Sequence, residues 1–429
     1  MEPINILLLG SGGREHAIAW KLSKSAHLKQ LYCAPGNPGT EAHGINIELD
    51  MSDFGAVERV MKDLAIDLLV VGPEQPLVDG IADFMNERGI AVFGPSEAAA
   101  QLEGSKSFAK AFMQRHDIPT AGYRTFEIDA FDEAFRFIKE QNRYPVVLKA
   151  DGLAGGKGVF ICESEEDVEK RLSLLEEDSS LKEAASTLVV EEFMVGEEAS
   201  VFAICDGEIG LILHNAQDHK RIGEGDTGLN TGGMGAYAPA PVLPESLLQR
   251  VNEEIIKPTL SGMKSEGMPY SGILYVGLMI TKEGPKVVEY NCRFGDPECQ
   301  VILPPLENDL VELMMASVNK SLGDQTVTVS DRYFCSVVLA SGGYPESYQK
   351  GFEISGLEDC DDDAILFHSG TRRKDGALLT DGGRVLNVVG SGDTLQQAID
   401  HSYDNIRKIS FQESYFRRDI GKKGLKKVE

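Results

Sequence analysis

The sequence has little positive charge. Its 429 residues include 42 Lys and Arg against 68 Asp and Glu, which gives a formal net charge of -26. A protein that binds nucleic acid needs a basic surface to neutralise phosphates, so we expect no nucleic-acid partner. Small phosphorylated substrates are not excluded, because a few Arg, Lys and backbone N–H groups can bind them locally.

The sequence also lacks long apolar runs and paired cysteines. Its N-terminal apolar run, Ile4–Leu9, is too short for the core of a secretion signal and far too short to span a bilayer, so we expect no membrane partner. The seven cysteines are scattered, with no C-x-x-C pair. Such spacing is typical of reduced thiols and predicts a cytoplasmic protein.

The first hundred residues alternate between strand and helix patterns. The predicted strands are Ile4–Leu9, Leu31–Cys33, Asp67–Val71 and Ile90–Phe93. Strands separated by helical stretches indicate βαβ units and a parallel sheet. We therefore predict an N-terminal doubly wound α/β domain over residues 1–102.

The middle of the chain, residues 103–325, has a different pattern. Strands Tyr144–Ala150 and Val159–Cys162 flank a glycine-rich segment, and a second hairpin pairs Ile273–Thr281 with Lys286–Asn291. Between them lies a predicted long glycine loop over residues 226–237. This mixture predicts a central α+β domain.

The last stretch, residues 326–429, predicts a small α+β domain. Its elements are strands Tyr333–Ala340, Ile365–His368 and Val385–Val389 and a helix from Leu395 to Ile409. Thr394 and Gln397 have the spacing of a capping box at the start of that helix. The lysines at 422, 423, 426 and 427 predict a frayed basic tail rather than a functional one.

A glycine turn, Gly10–Gly13, follows the first strand and opens a helix, so its N–H groups could hold an anion. The dinucleotide fingerprint needs a third glycine where Glu15 stands, which disfavours nicotinamide binding. A plain tight turn is the alternative. Gly36 and Asn37 also fall at a strand end, and ligands of open parallel sheets bind at that edge. We therefore expect a small substrate there.

A second glycine-rich segment, Lys149–Gly158, lies between two strands. It does not fit the phosphate loop of nucleotide hydrolases, because Gly158 follows Lys157 and a strand follows in place of a helix. An ordinary hairpin needs one or two glycines, whereas this one has four in seven residues. The segment is better interpreted as a β-hairpin lid whose amides close over phosphates, with Lys149 and Lys157 adding charge.

An acidic hinge follows the strand that starts at Thr187. Glu191, Glu192, Phe193 and Glu198 could offer backbone groups and an apolar wall to adenine and a carboxylate to ribose hydroxyls. This signal is weak by itself, since acidic residues at a strand end are usually solvated.

Three polar residues alternate at the end of a later strand. Alternation places Glu289 and Asn291 on one face, and Arg293 continues that face. Two oxygen donors side by side suit Mg²⁺ that bridges to phosphates, and Arg293 could neutralise a transferred phosphoryl group. The alternative is a polar edge strand without a metal.

Taken in order, these motifs resemble the phosphoribosylamine–glycine ligase family, which belongs to the ATP-grasp class. The resemblance covers nearly the whole chain. It is most specific in Asn230–Tyr237 together with Asn291–Glu298. It implies an ATP-grasp core at 103–325 with a lid subdomain at about 120–192.

The resemblance implies an ATP-dependent ligation of glycine to 5-phosphoribosylamine, with Mg²⁺ or Mn²⁺, in a monomer or weak dimer. A carboxylate does not react with an amine at neutral pH, so glycyl phosphate would form first and the amine would attack it. Catalysis would rest on positioning and charge neutralisation. The rivals are a biotin-dependent carboxylase component, which the 226–237 loop disfavours, and a non-catalytic nucleotide-binding protein, which intact Lys149, Glu289, Asn291 and Arg293 disfavour.

The resemblance also assigns residues to tasks. The catalytic residues would be Arg293, Lys149, Asp218 and Lys220. The ATP-binding residues would be Lys106, Lys149, Gly152, Gly155, Gly156, Lys157, Gly158, Glu191, Glu192, Phe193 and Glu198. The substrate-binding residues would be Gly12, Gly13, Arg14, Glu15, Gly36, Asn37, Thr231, Gly232, Gly233 and Met234. The metal ligands would be Glu289 and Asn291.

Overall fold

The computed structural model describes residues 1–153, 158–177 and 187–425. Its N-terminal part is a five-stranded parallel sheet in the order β3-β2-β1-β4-β5. The strands are β1 (Ile4–Gly10), β2 (Leu28–Pro35), β3 (Ile45–Asn46), β4 (Leu68–Val71) and β5 (Ala91–Phe93). The helices are α1 (Gly13–Leu22), α2 (Phe54–Asp63), α3 (Glu74–Val78), α4 (Ile81–Asn86) and α5 (Glu97–Gly104). The predicted doubly wound sheet is therefore confirmed.

The lid subdomain is a four-stranded antiparallel sheet in the order β6-β9-β7-β8. Its strands are β6 (Tyr123–Glu127), β7 (Val146–Ala150), β8 (Val159–Cys162) and β9 (Thr187–Glu192). Helix α6 (Lys106–Arg115) precedes it, and α7 (Phe131–Gln141) and α8 (Glu165–Glu177) belong to it. The lid has its own apolar core, in which Leu148 and Leu188 are fully buried. The predicted β7–β8 hairpin is confirmed.

A large antiparallel sheet forms the rest of the molecule, in the order β16-β15-β10-β11-β14-β17-β21-β18 with β22 beside β17. Its strands are β10 (Glu197–Asp206), β11 (Gly210–Asp218), β14 (Gly235–Ala238), β15 (Ser271–Thr281), β16 (Gly284–Asn291), β17 (Tyr333–Ser341), β18 (Ile365–His368), β21 (Arg384–Gly392) and β22 (Ser414–Tyr415). Two small hairpins lie outside it: β12 (Arg221–Gly223) with β13 (Thr227–Asn230), and β19 (Thr371–Lys374) with β20 (Ala377–Thr380).

Helices cover this sheet. They are α9 (Glu245–Val251), α10 (Lys257–Ser265), α11 (Cys299–Ile302), α12 (Leu310–Val318) and α13 (Leu395–Ile406). A π turn, Asn252–Ile256, joins α9 to α10 just before Pro258. The predicted capping box at Thr394 and Gln397 is confirmed, although the helix ends at Ile406 rather than Ile409. No helix among the described residues is long and apolar enough to cross a membrane.

Strand β14 joins the middle of the chain to its C-terminal part. Tyr237 pairs with Gln217 of β11, and Gly235 pairs with Val337 of β17. The prediction of one long glycine loop over 226–237 was wrong, since β13 lies within that range and β14 begins within it. Strand β14 has only four residues and begins with glycine, so its sequence shows no alternation of apolar and polar residues. Its conformation is set by pairing with the strands on either side.

Candidate functional site

A cleft of about 990 Å³ lies where the N-terminal sheet, the lid, the large sheet and the C-terminal segment meet. Each of the four parts contributes charged side chains to its wall, for example Arg14, Lys149, Glu289 and Lys423. The predicted site residues that line the cleft are Arg14, Lys106, Lys149, Gly158, Glu191, Phe193, Glu198, Asp218, Lys220, Thr231, Gly232, Glu289, Asn291 and Arg293.

A buried ion triad stands at the lid side of the cleft. Glu191 Oε1 lies 2.9 Å from Lys149 Nζ, and Glu191 Oε2 lies 3.0 Å from Lys110 Nζ. The side chains of Glu191, Lys149 and Lys110 are only 3%, 7% and 2% exposed. Burial lowers the pKa of Lys110 to about 8, and the Glu191 carboxylate opposes that shift. Glu191 therefore keeps two lysines at the cleft wall.

Lys110 is a cleft residue that the sequence reasoning missed. Its neighbours Ala109, Phe112 and Met113 are all buried on the same side of α6. A lysine within an apolar helical stripe is almost never buried without a partner, and that mismatch was the available signal.

The junction between α6 and the lid hairpin is tied by Asp151. Its Oδ1 accepts a hydrogen bond from the Ser107 N–H at 2.5 Å, and its Oδ2 accepts one from Ser105 Oγ at 3.0 Å. Lys106 Nζ donates to the Gly152 carbonyl at 2.9 Å. Lys106 and Gly152 therefore meet at the base of the lid. The predicted lid residues Gly155, Gly156 and Lys157 lie outside the described residues.

Apolar side chains line one end of the cleft. Phe193 and Val195 are 37% and 77% exposed there, which is unusual for large apolar residues. Ile161 of the lid and Met279 of the large sheet also belong to this wall. Glu192, which the sequence also assigns to nucleotide binding, does not line the cleft and lies 3.6 Å from Arg143.

Lys220 links two cleft carboxylates. Its Nζ lies 2.8 Å from Glu198 Oε2 and 3.7 Å from Glu289 Oε1. The Lys220 charge lowers the pKa of Glu198. Burial raises the pKa of Glu289, but the charges of Lys220 and Lys149 outweigh burial, so its pKa is lowered. Both carboxylates are therefore anionic at neutral pH.

The predicted metal ligands lie on one wall of the cleft. Glu289 and Asn291 line it from β16, while Tyr290 between them is buried and hydrogen-bonds Thr259. A bulge in the β15–β16 pairing places Glu289 opposite Gly277, whose missing side chain leaves room for it. The described residues contain no cluster of three or more His, Cys, Asp or Glu that could hold a metal. Two oxygen donors fit Mg²⁺, which takes most of its ligands from water and phosphates.

Arg293 is held by two carboxylates. Its guanidinium lies 2.7 Å from Glu103 Oε1 and 3.1 Å from Glu74 Oε2. Glu103 Oε2 also accepts a hydrogen bond from the Cys292 N–H at 2.7 Å. Although burial lowers the pKa of Arg293, these carboxylates raise it well above its usual value. Arg293 is thus fixed where the N-terminal sheet meets the cleft.

Two buried carboxylates, Asp218 and Glu298, line the cleft and lack a close cationic partner among the described residues. They are 7% and 4% exposed, and within the described chain neither makes an ion pair shorter than 4 Å. Burial raises the pKa of Asp218. Burial, followed by the nearby Asp218 charge, raises the pKa of Glu298 to about 7, against the pull of Lys220 and Arg293. The sequence reasoning missed Glu298, although it ends the Asn291–Glu298 motif.

The N-terminal glycine turn makes internal contacts instead of lining the cleft. The Gly12 N–H donates to Glu15 Oε2 at 2.6 Å, so the helix carries its own cap. Asn37 Nδ2 donates to the carbonyls of Ser11 at 2.8 Å and His368 at 3.0 Å. Asn37 therefore ties the N-terminal sheet to the C-terminal part. The contact of Gly12, Glu15 and Asn37 with substrate stays a prediction.

Other predicted substrate residues are also packed away from the cleft. Gly13 lies against Asn387, and Gly36 lies against Asn46, each too closely to admit a side chain. Gly233 has φ +109° and Met234 is fully buried. Thr231 and Gly232 of the same motif do line the cleft.

The C-terminal part contributes two cleft cations that the sequence reasoning missed. Arg384 Nη2 lies 3.0 Å from Asp296 Oδ2, and its Nη1 donates to the Gly232 carbonyl at 2.6 Å. Lys423 Nζ donates to the Asp218 carbonyl at 2.8 Å. The prediction of a frayed tail was therefore wrong for Lys423, because the charge run was judged from its composition alone.

Comparison with known proteins gives matches along nearly the whole chain. The family models for the N domain, the ATP-grasp (A) domain and the C domain of phosphoribosylglycinamide synthetase match residues 4–103, 104–299 and 334–423. A phosphoribosylamine–glycine ligase from Mesorhizobium japonicum is 48% identical over 97% of this chain and 98% of its own length.

Solved structures give the same picture. The crystal structure of phosphoribosylamine–glycine ligase from Thermotoga maritima has a TM-score of 0.85 at 36% identity, and the match covers 97% of this chain and 100% of that one. The biotin carboxylase domain of Hydrogenobacter thermophilus 2-oxoglutarate carboxylase has a TM-score of 0.74 at 15% identity, with 97% and 92% covered. The second match shows a shared fold.

The ion triad generates a stability prediction. Glu191→Gln leaves the buried ammonium groups of Lys110 and Lys149 without a counter-charge, and we expect it to cost about 3–5 kcal/mol of unfolding free energy. The matched control is Glu192→Gln, whose side chain is 65% exposed and should change stability by less than about 0.5 kcal/mol. Urea unfolding measures both variants. If the two variants lost the same amount of unfolding free energy, the buried ion triad would contribute no more to stability than an exposed carboxylate.

Proposed function

The chain belongs to the phosphoribosylglycinamide synthetase family, and on that basis we propose how its cleft performs the reaction. The enzyme is an ADP-forming carbon–nitrogen ligase of purine biosynthesis. It uses ATP to join glycine to 5-phosphoribosylamine, which gives glycinamide ribonucleotide, ADP and phosphate. The proposal concerns the route of the reaction and the residues that serve it.

One observation carries the proposal: a single cleft places lysines from the lid and α6 beside oxygen donors on β16 and the anchored Arg293. Phosphoryl transfer to a carboxylate needs positive charge around the transferring group and no enzyme nucleophile. We propose that glycine is first phosphorylated to glycyl phosphate, and that the amine of phosphoribosylamine then attacks the carbonyl carbon and releases phosphate.

We propose that ATP lies between the lid and the large sheet. The apolar wall that includes Phe193 and Val195 suits the adenine ring, and Glu198 suits the ribose hydroxyls. Lys106, Lys149 and the amides at the lid base would hold the phosphates. Glu191 acts through Lys149 and Lys110, which its carboxylate holds in place at 2.9 Å and 3.0 Å.

Glu289 and Asn291 are proposed to hold the divalent metal that accompanies ATP, Mg²⁺ or Mn²⁺. Such a metal supplies charge neutralisation and orientation at the phosphates. The chain's own contribution is Lys220, which lies 3.7 Å from Glu289 and keeps that carboxylate anionic, and Arg293, which Glu103 fixes toward the cleft.

Asp218 and Glu298 are proposed to serve the amino groups. A buried carboxylate that has no ion-pair partner within 4 Å among the described residues is a good partner for the ammonium of glycine. Asp218, Thr231 and Gly232 all line the cleft. The attacking amine must lose a proton, and a carboxyl whose pKa lies near 7 is well matched to accept it. Glu298 has that pKa.

The function predicts a strict substrate requirement. Purified enzyme with ATP and Mg²⁺ should release phosphate rapidly only when glycine and phosphoribosylamine are both present, with one phosphate for each glycinamide ribonucleotide formed. Phosphate release that needs neither substrate would contradict the proposed route.

In the same assay, Glu289→Gln and Asn291→Ala should lower turnover at limiting Mg²⁺ by about tenfold or more, because the first removes the negative charge of one protein oxygen donor and the second removes the other donor. Excess metal should restore part of the activity. Glu283→Gln in the same hairpin is the control, since its side chain is 76% exposed and pairs with Lys286. If Glu289→Gln and Asn291→Ala both kept the Mg²⁺ dependence of the wild-type enzyme, the assignment of these two residues as metal ligands would be wrong.

Glu298 generates a pH prediction. It must be deprotonated to accept a proton, so kcat/KM should fall as the pH drops below about 7. Glu298→Gln should reduce turnover by roughly 10²–10⁴-fold. Because its folded pKa is raised, the carboxyl binds an extra proton in the folded state. Its contribution to stability is therefore present at low pH and is lost as the pH rises to about 7.

Stability measurements separate this proton acceptor from a purely structural group. Wild-type enzyme should lose stability between pH 5 and pH 8 relative to Glu298→Gln, whose amide does not titrate. If the two proteins kept the same difference in unfolding free energy at both pH values, Glu298 would have an ordinary pKa and could not be the acceptor.

A further inference from the structure

The C-terminal segment after α13 returns to the cleft, which Lys423 lines. Arg417 is fully buried, and its guanidinium pairs with Asp419 at 2.8 Å and with Asp226 at 2.8 Å. It also donates to the Arg221 carbonyl at 2.8 Å. The segment is therefore fixed to the β12–β13 hairpin, whose residues form part of the cleft rim.

A second set of contacts holds the segment from behind. Tyr403 Oη on α13 donates to the Arg417 carbonyl at 2.7 Å and accepts from the Ile420 N–H at 3.0 Å. Ile420 is fully buried, and Gly421, at φ +82°, packs on Ile399. The chain that leads to Lys423 is thus held as firmly as an element of the core.

Lys423 stands at the end of this path. Its Nζ donates to the Asp218 carbonyl at 2.8 Å, and its side chain lines the cleft. A backbone carbonyl fixes the ammonium in space without cancelling its charge.

Most other cations of the cleft are neutralised. Carboxylates lie within 4 Å of Arg14, Lys110, Lys149, Lys220, Arg293 and Arg384. Over residues 1–153, 158–177 and 187–425, the cleft cations without such a carboxylate are Lys106, Arg221 and Lys423. Lys106 lies at the lid base, and Arg221 donates to the Gly228 carbonyl within its own hairpin. Lys423 is the one of the three that a rigid segment holds beside Asp218.

We propose that Lys423 is a substrate-binding residue whose ammonium contacts an anionic oxygen group of a substrate, either a carboxylate or a phosphate monoester. This inference rests on the proposed function, in which Asp218 faces the amino-acid substrate. Glycine supplies a carboxylate and phosphoribosylamine a phosphate, so the shared chemistry is an oxyanion, and kinetics distinguish the two sources.

The test compares Lys423→Met, Lys423→Arg and Lys422→Met in the full chain. Lys422 is the matched control, because it is the neighbouring lysine, is exposed and lies outside the cleft wall. We expect Lys423→Met to raise KM about tenfold or more for one substrate, glycine or phosphoribosylamine, with KM for ATP within about twofold of wild type. Lys423→Arg should recover most of the loss, and thermal unfolding should be unchanged in all three.

The affected substrate identifies the anion: glycine indicates the carboxylate and phosphoribosylamine the phosphate. Values of KM for both substrates within about twofold of wild type in Lys423→Met would overturn the inference while the proposed function stood. An equal loss in Lys422→Met, or a loss accompanied by a lower unfolding temperature that Lys423→Arg does not rescue, would reduce Lys423 to a structural role. Wild-type phosphate release that required neither substrate would overturn both proposals.

Discussion

The structure depends on carboxylates that hold buried cations in place. The chain carries a net charge of -26, yet its reaction moves a phosphoryl group that needs positive charge around it. In the cleft, Glu191 forms ion pairs with Lys110 and Lys149, and Glu103 forms one with Arg293. Burying an ammonium or guanidinium without a partner is costly, so each acid offsets that cost and holds its cation in a fixed position. Some of the chain's acidic residues therefore serve to hold cations at the cleft wall.

Residues from both ends and the middle of the chain form the wall of this cleft. Strand β14 joins β11 to β17 within one sheet, so the C-terminal part is continuous with the ATP-grasp core rather than appended to it. Through this continuity Arg384 and Lys423 reach the cleft from the far end of the sequence, while Arg14 reaches it from the first helix. Substrate affinity and the folding of the last residues should consequently be linked.

The sequence predicts features that follow from a local period. The parallel N-terminal sheet, the lid hairpin and the placement of Glu289 and Asn291 at the cleft all follow from alternation and turn residues. The sequence reasoning missed Lys110 and Lys423 because their partners, Glu191 and Asp218, are distant in sequence. The sequence did not predict the two-residue strand β3 or the four-residue strand β14, because such short segments take their conformation from neighbouring strands. The assignment of Gly12 and Asn37 to substrate remains a prediction, since their hydrogen bonds are already used within the fold.

The central claim is that the cleft activates the glycine carboxylate by phosphorylation. Isotope transfer tests this claim most directly. Glycine labelled with ¹⁸O in both carboxylate oxygens is converted with ATP and phosphoribosylamine, and the released phosphate is analysed by mass spectrometry. If glycyl phosphate forms, attack at the carbonyl carbon leaves one labelled oxygen in the amide and sends the other out with phosphate, so each phosphate should carry one ¹⁸O. Unlabelled phosphate would mean that ATP is cleaved without transfer to the carboxylate, and it would contradict the account.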